Sequence, residues 1–372
     1  MDEMQDFNSL ERRLLDRAKL SGTPLNGSLE LLPLCNMNCD MCFVRLSRSQ
    51  MEAQGRMRTG QEWLTLGKEM ADAGTLFLLL TGGEPLLHPD FKEIYLGLKK
   101  LGMIITINTN GTLIDKEWAA FFGENKPRRI NITLYGADAA TYGKLCHYPG
   151  GFDKVTNAVR LLRDQGVDVK LAGSMTPANV HQVDELLGVA QELEVPLHMD
   201  PYMMPGVRER EMPFNMQSRL LPEDAAAGCM RYVRKYMGAE MFQQFREQAL
   251  AVADREITSA QEPCPVSCMA GRCSFTVNWQ GMMRPCVIMS QPEVPVFEIG
   301  FQESWKLIRE SFGKVRFSPK CSNCRLRHLC RTCAAASMLE TGDYLGTPEY
   351  LCRYAEQTEC ILRSWKEEST NG

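Results

Sequence analysis

Fifteen cysteines stand in this chain of 372 residues, and their spacing constrains it more than any other feature. Three share one short stretch, Cys35, Cys39 and Cys42, in the pattern C-x3-C-x2-C. Ten more lie between Cys264 and Cys360. An odd count, without an export-type apolar N-terminus, makes a poor disulfide framework. Reduced thiols a few residues apart are the spacing of metal ligands, and a cytoplasmic setting is expected. Lys and Arg number 42 against 46 Asp and Glu, a formal charge of −4 with no basic excess for gripping nucleic acid. The longest apolar run, Leu76 to Leu80, falls far short of the roughly 20 residues of a membrane helix. Neither a nucleic acid nor a membrane is expected as a partner.

Short apolar runs alternate with longer amphipathic stretches from Ser28 to about Met204. The runs at 29–34, 76–81, 104–108, 130–135, 167–174 and 195–199 read as strands bounded by Gly, Pro or Asn. Helical patterns lie between them. The one from Thr59 to Ala73 opens with Thr59 and Glu62, the spacing of a capping box. Strand, helix, strand at this repeat predicts βαβ units and a parallel sheet, an α/β fold. Residues 206–263 read as a helical bridge, with Pro222 and two acids opening a helix. Residues 264–361 show many turns and little periodicity, so a segment this small needs metal staples to fold. An N-terminal extension (1–27) and a polar tail (362–372) complete the expected order.

The first cysteine group follows the first predicted strand, where α/β folds bind ligands. Three thiolates on one loop can hold three irons of a [4Fe–4S] cube and leave the fourth open. A zinc loop more often pairs four ligands as C-x2-C. The stretch Cys35-Asn36-Met37-Asn38-Cys39-Asp40-Met41-Cys42-Phe43 resembles the signature of the radical S-adenosylmethionine superfamily. That resemblance implies a partial (β/α)6 barrel over residues 28–205. It also implies S-adenosylmethionine chelated to the open iron, and reductive cleavage to a 5′-deoxyadenosyl radical. Thr81-Gly82-Gly83-Glu84-Pro85, after the second predicted strand, fits the same resemblance. Its glycines permit close backbone approach, and a carboxylate can meet an ammonium group. In the family Gly82, Gly83 and Glu84 would contact the methionyl amino group. Asn110, Thr133 and Ser174, near later strand ends, are the other expected cofactor contacts.

The C-terminal cysteines resemble a SPASM domain, an extension carrying two auxiliary [4Fe–4S] clusters. Cys268 is followed by Gly281 and Cys286, then by Cys321-x2-Cys324-x5-Cys330-x2-Cys333 and by Cys352. The last spacing of the central group is two residues, where the family usually has three. By resemblance Cys321, Cys324, Cys330 and Cys352 hold the outer cluster. Cys268, Cys286 and Cys333 hold the inner one, with Cys264, Cys273 or an open position as the fourth. A zinc-ribbon spacing is the alternative, but it explains four cysteines rather than seven to nine.

SPASM enzymes mostly modify ribosomally made peptides or proteins. The resemblance therefore implies a peptide maturase that forms a C–S or C–C link, a ring or an oxidised side chain. A sulfatase-maturase-like protein oxidase is the second enzyme reading. Tyr135, where many relatives carry an acid before glycine, weighs against it and lines the expected pocket. Cys146, in a segment resembling the one that faces substrate, is a candidate hydrogen-atom donor. A non-catalytic iron–sulfur electron-transfer or zinc-binding protein is the reading of another class. Expected partners are a peptide or small-protein substrate, an electron donor such as flavodoxin or ferredoxin, and a separate leader-binding protein, since 1–27 is short for a fused one.

Overall fold

The computed structural model describes residues 8–205, 218–255, 266 and 268–365. Cys264, much of the predicted bridge between 206 and 217 and from 256 to 263, and the tail from 366 lie outside these residues.

In chain order the first half runs α1 (Ser9–Ser21), β1 (Asn26–Glu30), α2 (Arg48–Gln54), α3 (Gly60–Asp72), β2 (Phe77–Thr81), α4 (Phe91–Lys100), β3 (Ile104–Thr109) and α5 (Lys116–Glu124). It continues with β4 (Arg129–Thr133), α6 (Ala139–Cys146), α7 (Gly151–Asp164), β5 (Val169–Ser174), α8 (Val183–Glu192) and β6 (Leu197–Asp200). Then come α9 (Pro222–Met237), α10 (Ala239–Ala253), β7 (Ser274–Val277), β8 (Met282–Arg284), β9 (Val294–Pro295), α11 (Val296–Ile299), α12 (Phe301–Phe312), α13 (Pro319–Ser322), α14 (Ala334–Thr341) and α15 (Glu349–Ser364).

One sheet organises the molecule, in the order β6-β5-β4-β3-β2-β1-β7-β8-β9. From β6 through β7 every pairing is parallel, and β8 and β9 close the edge antiparallel. Strands β1 to β6 are each followed by a helix, the expected (β/α)6 unit. Ile105, Ile107, Ile130, Ile132, Val169 and Leu171 are buried beneath that helical layer. Each fully buried aliphatic side chain is worth about 1.5–3 kcal/mol. Alternating positions, among them Asn108, Asn131, Thr133, Lys170, Ala172, Ser174, His198 and Asp200, occupy the other face. Polar residues on that face make a lining rather than a second core.

The capping box at Thr59 forms as predicted: its hydroxyl accepts from Glu62 N at 3.2 Å, and the Glu62 carboxylate accepts from Thr59 N at 2.8 Å. The first strand lies earlier than expected, at Asn26–Glu30, because Leu31–Leu34 leave the ladder to support the cysteine loop. The N-terminal extension is not featureless. Asn8 caps α1, whose Leu15 and Ala18 pack on Met269 and Cys273. The predicted divide at residue 264 does not divide the sheet. Strand β7 pairs in parallel with β1, Asn26 opposite Ser274. The cysteine-rich part also holds more regular structure than its sequence suggests, including α12 and the long α15, which packs on α9.

Candidate functional site

Residues 35–42 form a loop beyond β1, and two neighbours fix its path. On one side the turn after β2 lies against its root. Gly83 N donates to Leu32 O at 2.7 Å and Glu84 N to Leu34 O at 2.8 Å. A Cβ on Gly82 would stand 2.5 Å from Leu32 O, and one on Gly83 would stand 2.3 Å from Leu34 O. Gly82 also has φ +149°. Both positions therefore require glycine. On the other side the end of α6 receives the loop: Asn38 N donates to Cys146 O and Asp40 N to Leu145 O, both at 3.1 Å. His147, in the left-handed region, meets Asp40 at 2.6 Å.

The thiols of this loop are hydrogen-bond acceptors. Cys35 Sγ receives Met37 N at 3.4 Å and Asn110 Nδ2 at 3.6 Å, and Cys42 Sγ receives Arg45 N at 3.3 Å. Asn110 is itself held, giving Nδ2 to Asn36 at 2.8 Å and accepting from Thr112 N at 2.9 Å. Burial pushes the Cys35 thiol up to about 12, with Glu84, Cys42 and Cys39 adding to the rise. Cys39 lies against Cys146, and that contact, followed by burial, drives its thiol well above the ordinary range. The Tyr135 phenol is raised by burial and then by the charges of Cys39, Cys146, Cys42 and Cys35.

Glu84 is fully buried. Its carboxylate accepts from Leu86 N at 3.1 Å, Thr109 Oγ1 at 2.8 Å and Asn110 N at 2.8 Å. Burial raises it to about 7 against the pull of those three donors. The side chain thus joins the β2 turn to the end of β3, and both its oxygens are engaged within the protein. Thr133 and Ser174 stand on the lining face, Ser174 opposite Asp200 on β6. Cys146 is fully buried against Cys39.

Near the C-terminus, Cys321, Cys324, Cys330 and Cys352 converge. The first two and Cys352 all act on Cys330, which burial pushes up to about 12. Cys286 and Cys333 flank one small apolar cluster. Cys273 is buried in the cluster beneath α1, with the exposed Cys268 acting on it. Among the described residues no three acids, histidines or cysteines close around a single metal ion. A cube spreads its thiolates more widely than one ion does.

The loop fits an iron–sulfur cluster. Buried bare thiols at raised pKa stay protonated, and cationic iron is what would hold them as thiolates. Arg45 Nε and Thr332 Oγ1, on residues next to the two cysteine groups in sequence, are among the buried polar atoms without a partner among the described residues.

Sequence reasoning found Asn110 but missed Asn36, Thr109 and Thr112 around it. Their signal was the Thr-Asn-Gly-Thr turn at 109–112, which by itself reads only as a turn. Asp138, which caps α6 by accepting from Thr141 N at 2.7 Å, and the Asp40–His147 pair were also missed.

Residues 29–191 match the family model described as Radical SAM superfamily. The chain is 25% identical over 355 residues to the AdoMet-dependent heme synthase of Methanosarcina barkeri, covering 91% of this chain and 96% of that one. It is 23% identical over 375 residues to the PqqA peptide cyclase of Rhodopseudomonas palustris, covering 95% and 93%. Its fold is similar to that of Streptococcus suis SuiB bound to the precursor peptide SuiA, with a TM-score of 0.67, 17% identity, and coverage of 93% of this chain and 81% of that one. With its three-cysteine loop at the end of β1, the segment 29–191 is a radical SAM domain, and the cysteine-rich C-terminal region is consistent with the SPASM type.

Proposed function

We propose that the chain reductively cleaves S-adenosylmethionine and uses the product to modify a ribosomally made peptide or protein. The observation that carries this is the loop at 35–42, whose Cys35 sulfur accepts from Met37 N and Asn110 Nδ2 and whose Cys42 sulfur accepts from Arg45 N. Cys35, Cys39 and Cys42 would hold a [4Fe–4S] cluster with one iron free of protein. When bound, cluster and cosubstrate supply a 5′-deoxyadenosyl radical that removes a hydrogen atom from the substrate. The protein's own part is to place that event. The glycines at 82 and 83 bring the β2 turn against the loop, Glu84 locks it to β3, and Thr133 and Ser174 offer hydroxyls on the lining. Tyr135, partly buried, lies within electrostatic reach of the thiols. Cys146 lies in contact with Cys39, and in this reading it backs the cluster loop.

Two auxiliary clusters complete the proposal. Cys321, Cys324, Cys330 and Cys352 would hold the outer one. Cys268, Cys286 and Cys333 would hold the inner one. Its fourth ligand is Cys264 or Cys273, or the position is open. Cytoplasmic location, a flavodoxin or ferredoxin as electron donor and a separate leader-binding protein belong to the same reading. No helix among the described residues is long and apolar enough to cross a membrane.

A second reading has a specific observation behind it. The heme synthase relative matches nearly end to end, so a tetrapyrrole side chain is the alternative substrate. Anaerobic reconstitution with iron and sulfide, then reduction with S-adenosylmethionine, tests the shared core. The reading predicts 5′-deoxyadenosine and roughly twelve irons per chain. Iron-loaded protein that forms no 5′-deoxyadenosine would overturn it.

A further inference from the structure

The mouth of the sheet carries a guanidinium with an unfinished partner. Arg331 belongs to the cysteine-rich region, between Cys330 and Cys333, yet it reaches the end of β6. Its Nη1 donates to Asp200 Oδ1 at 3.3 Å. Behind it, Nη2 meets Cys229 Sγ at 3.8 Å, and the buried Tyr354 phenol lies next to both groups. The cation is therefore fixed on its inner side by α9 and α15.

Its acidic contact is poor by the standard of this molecule. Arg325 grips Glu359 with two bonds of 2.7 Å, and Arg56 grips Glu62 with two of 2.8 Å. An arginine fork is built for such two-point recognition. Arg331 gives Asp200 one long bond to a single oxygen, and Tyr202 N donates to that same oxygen at 3.1 Å. Those two arginines are the more exposed, at 47% for Arg325 and 64% for Arg56 against 22% for the Arg331 side chain. Asp200 is itself 49% exposed, so it faces the opening.

The surroundings favour an anion. Asp200 lies opposite Ser174, and the same lining carries Lys170 and His198. The other acid nearby, Glu340, is already claimed by Arg219 and the Tyr202 hydroxyl. That leaves Asp200 as the replaceable carboxylate beside the fixed Arg331 guanidinium.

We propose that Arg331 binds a carboxylate of the substrate, with Asp200 holding its place in the free enzyme. The proposal rests on the functional reading above and names the chemistry of the substrate: a carboxylate, whether a peptide acid or a tetrapyrrole propionate.

Binding to the reconstituted enzyme tests it with two matched pairs. One is coproporphyrin III against its methyl ester. The other is the amide-capped peptide Ala-Ala-Glu-Ala-Ala against its Gln counterpart. At least one acid should bind about 10- to 100-fold more tightly than its neutral partner, and the pair that discriminates names the source. Arg331→Gln should erase that preference and Arg331→Lys should restore part of it. Asp200→Asn should tighten binding of the acid about three- to tenfold by removing the competitor. A merely structural ion pair would weaken in both variants without sorting acid from ester or amide. Equal binding of acid and neutral forms in both pairs, or weaker acid binding by Asp200→Asn, overturns the proposal. Should Arg331→Gln fail to fold, the unaltered enzyme and Asp200→Asn still decide. Substrate-free formation of 5′-deoxyadenosine by the unaltered enzyme is measured alongside. Its presence without an acid preference sinks the carboxylate site alone, and its absence sinks the reading beneath it.

Discussion

The cysteine loop at 35–42 hangs from a finished sheet, whereas the C-terminal cysteines sit among short helices and turns. Around the first group almost every restraint comes from the barrel: backbone bonds from the β2 turn and from α6, a buried carboxylate, and an asparagine held on three sides. Around the second, Cys321 lies in the four-residue α13, Cys333 caps α14 through its own sulfur, and Cys330 closes a turn on Leu326. The same element is used for opposite ends. In the barrel the fold positions the sulfurs, and in the C-terminal region the sulfurs, once metallated, would hold the fold.

The sharpest way to break this contrast is substitution of Cys35, Cys39 and Cys42 together by Ala. Formation of 5′-deoxyadenosine should fall to background while roughly two-thirds of the iron remains, with thermal stability of the barrel little changed. Collapse of the barrel would mean that the first loop is a staple too.

Iron removal should act on the other half. Structural metal sites can contribute on the order of 10 kcal/mol to the fold they hold. Chelation should therefore expose residues 268–365 to limited proteolysis well before residues 26–200. Equal protection of both regions would erase the distinction.

Glu84 gives a pH test of the pre-built loop. Its folded pKa is about 7, against the ordinary 4.5. Between those values the folded state holds a proton that the unfolded state has lost, so stability falls as pH rises. The contribution is fully present below pH 4.5 and lost through pH 7, about 3 kcal/mol as an upper bound. In cluster-free protein, Glu84→Gln should remove this part of the slope in denaturant unfolding. An unchanged slope would show the carboxylate to be less buried than described.

Asn110→Ala is the smallest effect, about 1–2 kcal/mol of unfolding free energy from lost buried hydrogen bonds. It should also speed release of one cluster's iron to a chelator and leave the C-terminal iron untouched.

The parallel strands, the helices between them and the capping box at Thr59 were legible because period and punctuation repeat along residues 28–205. The cysteine loop and the glycine turn were legible because their spacing is rigid. The pairing of β7 with β1 was not, since a four-residue strand far along the chain leaves no periodic trace. Nor was the full reason for Gly82 and Gly83. They accommodate the protein's own carbonyls at 32 and 34, a contact only the fold reveals. Arg331 escaped for the same reason: between two cysteines it reads as solubility, yet it reaches a strand end 131 residues away.

The most direct test of the open coordination position is hyperfine spectroscopy of the reduced, reconstituted enzyme with S-adenosylmethionine labelled in its methionyl carboxylate. Coupling of the label to a cluster signal, lost in Cys39→Ala, is the predicted result. A full cluster signal that does not sense the label would contradict the account.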